Sequence, residues 1–239
     1  MSQERERDSR IVIISSGLNI RKMLEENGYP FKSKEHSLRV EQFNKDKNAN
    51  YIVKYITGYE KNGEPSKFKC PQILKYQFEE KGKYNYSNKC CYKLKKDTIH
   101  RWEKENHKPI AITGMRAEEG GNRARFGCTI FKGDKLNHFH PLIVVSEEWE
   151  NEFIEKNNIE LCRLYYPPFN FKRTGCKGCP YSLDLQEQLD IMDTYLPNEK
   201  KQCEILWKYV YDEYRRLGYR LRKQRERQMT IEDFINNEN

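Results

Sequence analysis

Two pairs of cysteines carry the clearest chemistry in this sequence. Cys90-Cys91 sits among lysines in Asn88-Lys89-Cys90-Cys91-Tyr92-Lys93-Leu94-Lys95-Lys96, and Cys176-Lys177-Gly178-Cys179 is followed by Pro180. Four thiolates can hold a tetrahedral metal ion or a cubane iron–sulfur cluster. A CxxC lets two sulfurs of one turn point at the same ion. Adjacent cysteines do so only where the backbone bends, because neighbouring side chains otherwise diverge. A CC pair joined to a distant CxxC is therefore an unusual way to build a zinc site. Between the pairs, the stretch from Pro109 through Thr113-Gly114-Met115-Arg116-Ala117-Glu118-Glu119-Gly120-Gly121-Asn122 to Arg123 reads as a short buried strand emptying into a glycine-rich loop. That is where open α/β folds place ligands. Arg116, Arg123 and Arg125 can give charge-assisted hydrogen bonds to phosphate or sulfate, or can pair with Glu118 and Glu119 of their own loop.

The remaining chemistry-bearing residues read more modestly. Cys128, in Phe126-Gly127-Cys128-Thr129-Ile130-Phe131, is a fifth candidate ligand, with burial in a strand the favoured reading. Cys70, Cys162 and Cys203 read as packing residues. His138 and His140 flank Phe139, and an HxH on a strand turns both rings to one face, where a metal can bind; no carboxylate partner is evident beside them. His36 reads as structural.

At these residues the chain resembles the phosphoadenosine phosphosulfate reductase family, a branch of the adenine-nucleotide alpha-hydrolase-like proteins, in the form found in phages and mobile elements. The matching pieces are Gly28-Tyr29-Pro30-Phe31-Lys32-Ser33-Lys34-Glu35, Cys90-Cys91, Thr113-Gly114-Met115-Arg116-Ala117-Glu118-Glu119 with Arg123, and Arg173-Thr174-Gly175-Cys176 with Cys179-Pro180. They cover roughly residues 18–182. The resemblance implies an α/β fold with a partial Rossmann-like core. It implies that Cys90, Cys91, Cys176 and Cys179 are the ligands of a [4Fe-4S] cluster, with zinc as the alternative. It also implies that Arg116, Glu119, Arg123 and Arg173 hold a sulfonucleotide or another phosphate-bearing ligand. Family members open on a Ser-Gly-Gly-Lys-Asp-Ser-type phosphate loop, but Ser15-Ser16-Gly17-Leu18-Asn19 lacks its lysine and aspartate. They also carry a catalytic cysteine in a tail motif, where Gln228-Met229-Thr230-Ile231-Glu232-Asp233-Phe234 has none. Most place a serine where this chain has Gly120. Sulfonucleotide reduction or sulfur transfer would then need a partner chain to supply the phosphate loop. The other reading is a catalytically inactive binding module of a mobile element, acting on nucleic acid or a protein.

Composition frames these readings. The chain has 239 residues, which suits one domain with an appendage, expected at residues 1–182 and 183–239. Hydrophobic residues make up 36% but aromatics 13%, so a modest core rich in Tyr and Phe is expected rather than disorder. The net charge of +8 suits phosphate-bearing partners, nucleic acid among them, although lysine-rich faces can also be plain solvated surface. Eight cysteines without a signal-like start or an apolar membrane-spanning run imply a cytoplasmic setting, where cysteine pairs bind metal or do redox chemistry.

The elements that must position these groups follow from periodicity. Ile11-Val12-Ile13-Ile14 reads as a short buried strand and residues 19–27 as a helix. Two helices are expected over residues 33–59, the first starting near Ser33 or Ser37. Asp97 is expected to cap a helix through Glu105, and Ser146 one that bears Trp149, Phe153 and Ile154. Ile110-Ala111-Ile112 and Leu142-Ile143-Val144-Val145 read as core strands. Ser182 is expected to cap a helix containing Leu185, Leu189, Met192 and Leu196. After Pro197, a second helix carries the stripe Cys203, Leu206, Val210, Tyr214, Leu217 and Leu221, making an antiparallel pair. It runs on into Arg220, Arg222, Lys223, Arg225 and Arg227, a basic stretch that can meet nucleic acid or end a solvated helix. Gln228–Phe234 reads as a short docking segment.

Overall fold

The computed structural model describes residues 8–120 and 123–223; Arg225, Arg227 and the segment Gln228–Phe234 lie outside them. In chain order the α-helices are α1 (Ile20–Asn27), α2 (Lys34–Lys45), α3 (Asn50–Thr57), α4 (Asp97–Glu105), α5 (Glu147–Lys156), α6 (Leu185–Tyr195), α7 (Pro197–Leu206) and α8 (Lys208–Leu217). Strands β1 (Ala111–Ile112), β2 (Thr129–Lys132) and β3 (Lys135–Phe139) form one sheet in the order β1-β3-β2. β1 pairs with β3 in parallel, and β2 pairs with β3 antiparallel. The fold is helix-rich α/β with a small mixed sheet, consistent with a partial Rossmann-like core.

The chain divides into two compact units, one of residues 1–16 and 95–163 and one of residues 17–94 and 164–239. The second holds the main core: Leu24, Phe31, Val40, Ile52 and Leu74 from its first half, with Leu185, Leu189, Val210, Tyr211 and Tyr214 from its last helices. Two helix starts here are written in the local sequence. Asn19 accepts from Lys22 N at 3.1 Å ahead of α1, and Ser33 from His36 N at 3.1 Å ahead of α2, each satisfying a donor that the helix leaves open. His36 is fully buried between the Tyr55 hydroxyl at 3.0 Å and Gln77 Oε1 at 2.8 Å, a structural role as expected.

The helix pair expected after Ser182 is three helices. Pro197 opens α7 at its first turn, where a missing N–H costs nothing, and Trp207 interrupts the long stripe between α7 and α8. Asp184, rather than Ser182, precedes α6, and Ser182 instead accepts from Gln188 Nε2 at 3.0 Å. Asp97 is likewise the first residue of α4 and not its cap, because a helical stretch already runs into it.

The first unit contains the sheet, α4 and α5. Ser146 caps α5 through Trp149 N at 3.1 Å, as expected. Its apolar runs are less buried than their composition predicts. Ile11–Ile14 is exposed backbone outside any strand, Ile112 is 69% exposed, and Leu142–Val145 is a turn in which only Ile143 is buried. A short apolar run is buried only where a second layer covers it, and β1 is a two-residue edge strand. Cys128, just ahead of edge strand β2, and Cys162 are both exposed, so neither is a packing residue.

Candidate cysteine site

All four motif cysteines belong to the second unit. Cys90 and Cys91 open a helical stretch at residues 90–91 that passes into a π turn, Tyr92–Lys96, before α4. π turns are rare and concentrate at functional sites. The helical twist keeps the neighbouring side chains from diverging as they would in a strand, and their sulfurs stand 4.0 Å apart. The bend that adjacent cysteines require is thus supplied by a helix start. Lys89 is drawn aside, its ammonium bonded to Glu41 at 2.9 Å.

The CxxC is a tight turn, with Cys179 N donating to Cys176 O at 3.1 Å and Ser182 N to Cys179 O at 2.8 Å. Gly178 has φ +59°, and a Cβ there would stand 2.6 Å from both Cys203 Sγ and the Tyr211 hydroxyl. Only glycine meets both the left-handed conformation and the space. The turn's carbonyls are held from the C-terminal helices. Trp207 Nε1 donates to Lys177 O at 3.2 Å, Tyr211 to Gly178 O at 2.5 Å and Tyr214 to Pro180 O at 2.8 Å. Arg220 donates to Pro180 O and Ser182 O, both at 2.9 Å. Residues 207, 211 and 214 are spaced four and three apart, so one helix face presents the three aromatic polar tips to the turn.

Electrostatics link the two pairs. The Cys90 thiol is held protonated well above the usual cysteine range, first by its contact with Cys91, then by burial and by the charges of Cys91 and Cys179. Tyr181, directly after Pro180, is pushed the same way, mainly by burial and further by Cys90, Cys91 and Cys179. Its hydroxyl donates to Ser37 Oγ at 3.1 Å. Cys176 and Cys179 are partly buried, and no cysteine forms a disulfide. Cys70 and Cys203 are buried, as expected of packing residues. Among the described residues, no group of three or more His, Cys, Asp or Glu side chains stands arranged to hold a metal ion. The donor chemistry fits a thiolate-ligated group, and Cys90 and Cys91 already bring two sulfurs together.

The other predicted residues divide between the units. Arg173 is exposed, three residues before Cys176. Arg116, Glu119 and Arg123 lie in the first unit. Arg116 is paired with Glu150 at 2.9 Å and faces Glu118 at 3.6 Å, and Arg123 is paired with Glu119. Arg123 thus pairs within its own loop, while the close partner of Arg116 comes from α5. Of the C-terminal basic run, Arg220 serves the CxxC turn and Arg222 is paired with Asp190 at 2.8 Å. Sequence reasoning missed Trp207, Tyr211 and Arg220 as positioning groups; the aromatic spacing 207, 211, 214 is the signal that could have found the first two.

The family model described as phosphoadenosine phosphosulfate reductase domain matches residues 62–182, about half of the chain, including both cysteine pairs and the arginine loop. No curated protein and no solved structure matches the chain. No described helix is long and apolar enough to cross a membrane.

Proposed function

The chain belongs to the phosphoadenosine phosphosulfate reductase domain family, and from that premise we propose that it is an iron–sulfur member handling sulfonucleotide-type anions. Cys90, Cys91, Cys176 and Cys179 would be the ligands of a [4Fe-4S] cluster. The observation that carries this reading is that two cysteine pairs distant in sequence belong to one unit, each pair shaped by a backbone device: a helix start with a π turn, and a glycine turn clamped at its carbonyls. When bound, the cluster would tie the two cysteine pairs together and supply iron–sulfur electron chemistry beside the anion's donors. The chain's own residues do the rest. α8 holds the CxxC turn rigid, and exposed Arg173 offers a planar pair of donors to phosphate or sulfate beside it.

One observation favours zinc as a second reading. A single tetrahedral zinc at about 2.3 Å from each sulfur sets its ligands about 3.8 Å apart. Cys90 and Cys91 stand at 4.0 Å, whereas a cubane spreads its thiolates over four irons. Protein purified without oxygen decides between them through iron, acid-labile sulfide and zinc content and the visible spectrum. About four irons and four sulfides per chain are expected, lost in Cys176→Ser/Cys179→Ser. Stoichiometric zinc lost in the same variant would replace the cluster by a structural ion. Intact folded protein holding neither would overturn both.

A further inference from the structure

The sheet of the first unit carries a second set of metal-ligand chemistry that the cysteine site does not use. His138 and His140 flank Phe139 at the end of β3, so their side chains leave on the same face. Their ring centroids are 5.9 Å apart. Four buried side-chain nitrogen or oxygen atoms lack a hydrogen-bond partner among the described residues, and two of them are His138 Nδ1 and His140 Nε2. His140 is only 3% exposed. An orphaned buried ring nitrogen costs on the order of 1–3 kcal/mol, so two on adjacent rings call for a ligand.

We propose that His138 Nδ1 and His140 Nε2 bind a divalent transition-metal ion of the zinc class. Thr113 sets the donor. Its backbone N–H is fixed to Phe139 O at 3.0 Å, and its hydroxyl lies 2.7 Å from His140 Nδ1. With Nδ1 donating its proton to that hydroxyl, Nε2 carries a bare lone pair. This is how an outer hydrogen bond orients a metal-binding imidazole. The backbone is pinned from the other strand as well, His140 N donating to Cys128 O at 2.6 Å. Two imidazoles on one ion at about 2.0–2.1 Å per nitrogen bring their centroids to about 5 Å, a small side-chain rotation from the separation here. The protein then supplies two ligands and leaves the other positions to water or to an outside donor. The site belongs to the first unit and its argument does not rest on a cluster at the four cysteines.

The test is zinc alone, titrated into the full chain with its cysteine-bound content left in place, followed by ¹⁵N signals of the histidine rings. Saturable shifts at the His138 and His140 ring nitrogens are expected, and they are to vanish in His138→Gln and His140→Gln. Thr113→Val keeps both ligands and is expected to weaken the site by about 10–100-fold. It is therefore the informative variant if a histidine substitution fails to fold. Unmoved ring signals at millimolar zinc, or a Thr113→Val protein that titrates like the wild type, would overturn the site.

Discussion

His36 illustrates how much one buried side chain can be read for. It sits among Phe31, Tyr55 and Phe78 with both ring nitrogens occupied. Burial lowers its pKa from 6.5 to about 4, with the Gln77 bond opposing the shift. Above pH 6.5 the ring is neutral in both folded and unfolded chain, and its contribution to stability is fully present. As pH falls from about 6.5 toward 4, the unfolded chain takes up a proton that the folded one refuses. Stability is then lost, by up to about 3 kcal/mol. Urea unfolding across this window is expected to show that slope, and His36→Gln is expected to flatten it. An unchanged slope in the variant would assign the acid sensitivity elsewhere.

At the scale of the element, α8 and the Trp207 that precedes it act as a clamp on the CxxC turn. Tyr214 is its most committed member: its hydroxyl accepts from Lys32 N at 2.7 Å while donating to Pro180 O. Tyr214→Phe keeps the ring and strands the part-buried Lys32 N–H, at a cost of about 1–3 kcal/mol. Tyr211→Phe strands the Gly178 carbonyl in the same way. Both variants are expected to lower the urea midpoint and to speed alkylation of Cys176 and Cys179 under native conditions. A drop in stability with unchanged thiol reactivity would reduce the clamp to ordinary packing. The helix stripe was legible in the sequence as Cys203, Val210 and Tyr214. Its polar function was not, because periodicity reports which face is buried and not what the phenol tips meet across 30 residues or more of chain.

For the whole molecule, the three tryptophans divide by unit: Trp102 and Trp149 in the first, buried Trp207 in the second, bonded to the CxxC turn. Trp102→Phe/Trp149→Phe leaves Trp207 as the sole reporter. Stripping metal from the cysteines is expected to change its emission and lower the second unit's unfolding midpoint, since a group bound only by the folded chain stabilises it. Emission indifferent to stripping would separate the turn from any bound group.

Family, cysteine ligand candidates and most helices were determined by the sequence alone, because they depend on local spacing: CC, CxxC, Asn19 and Ser33 ahead of helices, apolar residues three and four apart. The exposure of Ile11–Ile14, Ile112 and Val144, the pairing of Arg116 with Glu150 and of Arg123 with Glu119, and the break at Trp207 were decided only by tertiary structure. An apolar run does not state whether a second layer will cover it. Nor does an arginine state whether a ligand or a neighbouring carboxylate will reach it first. Those outcomes depend on which distant segments arrive beside each group, and that is a property of the folded chain.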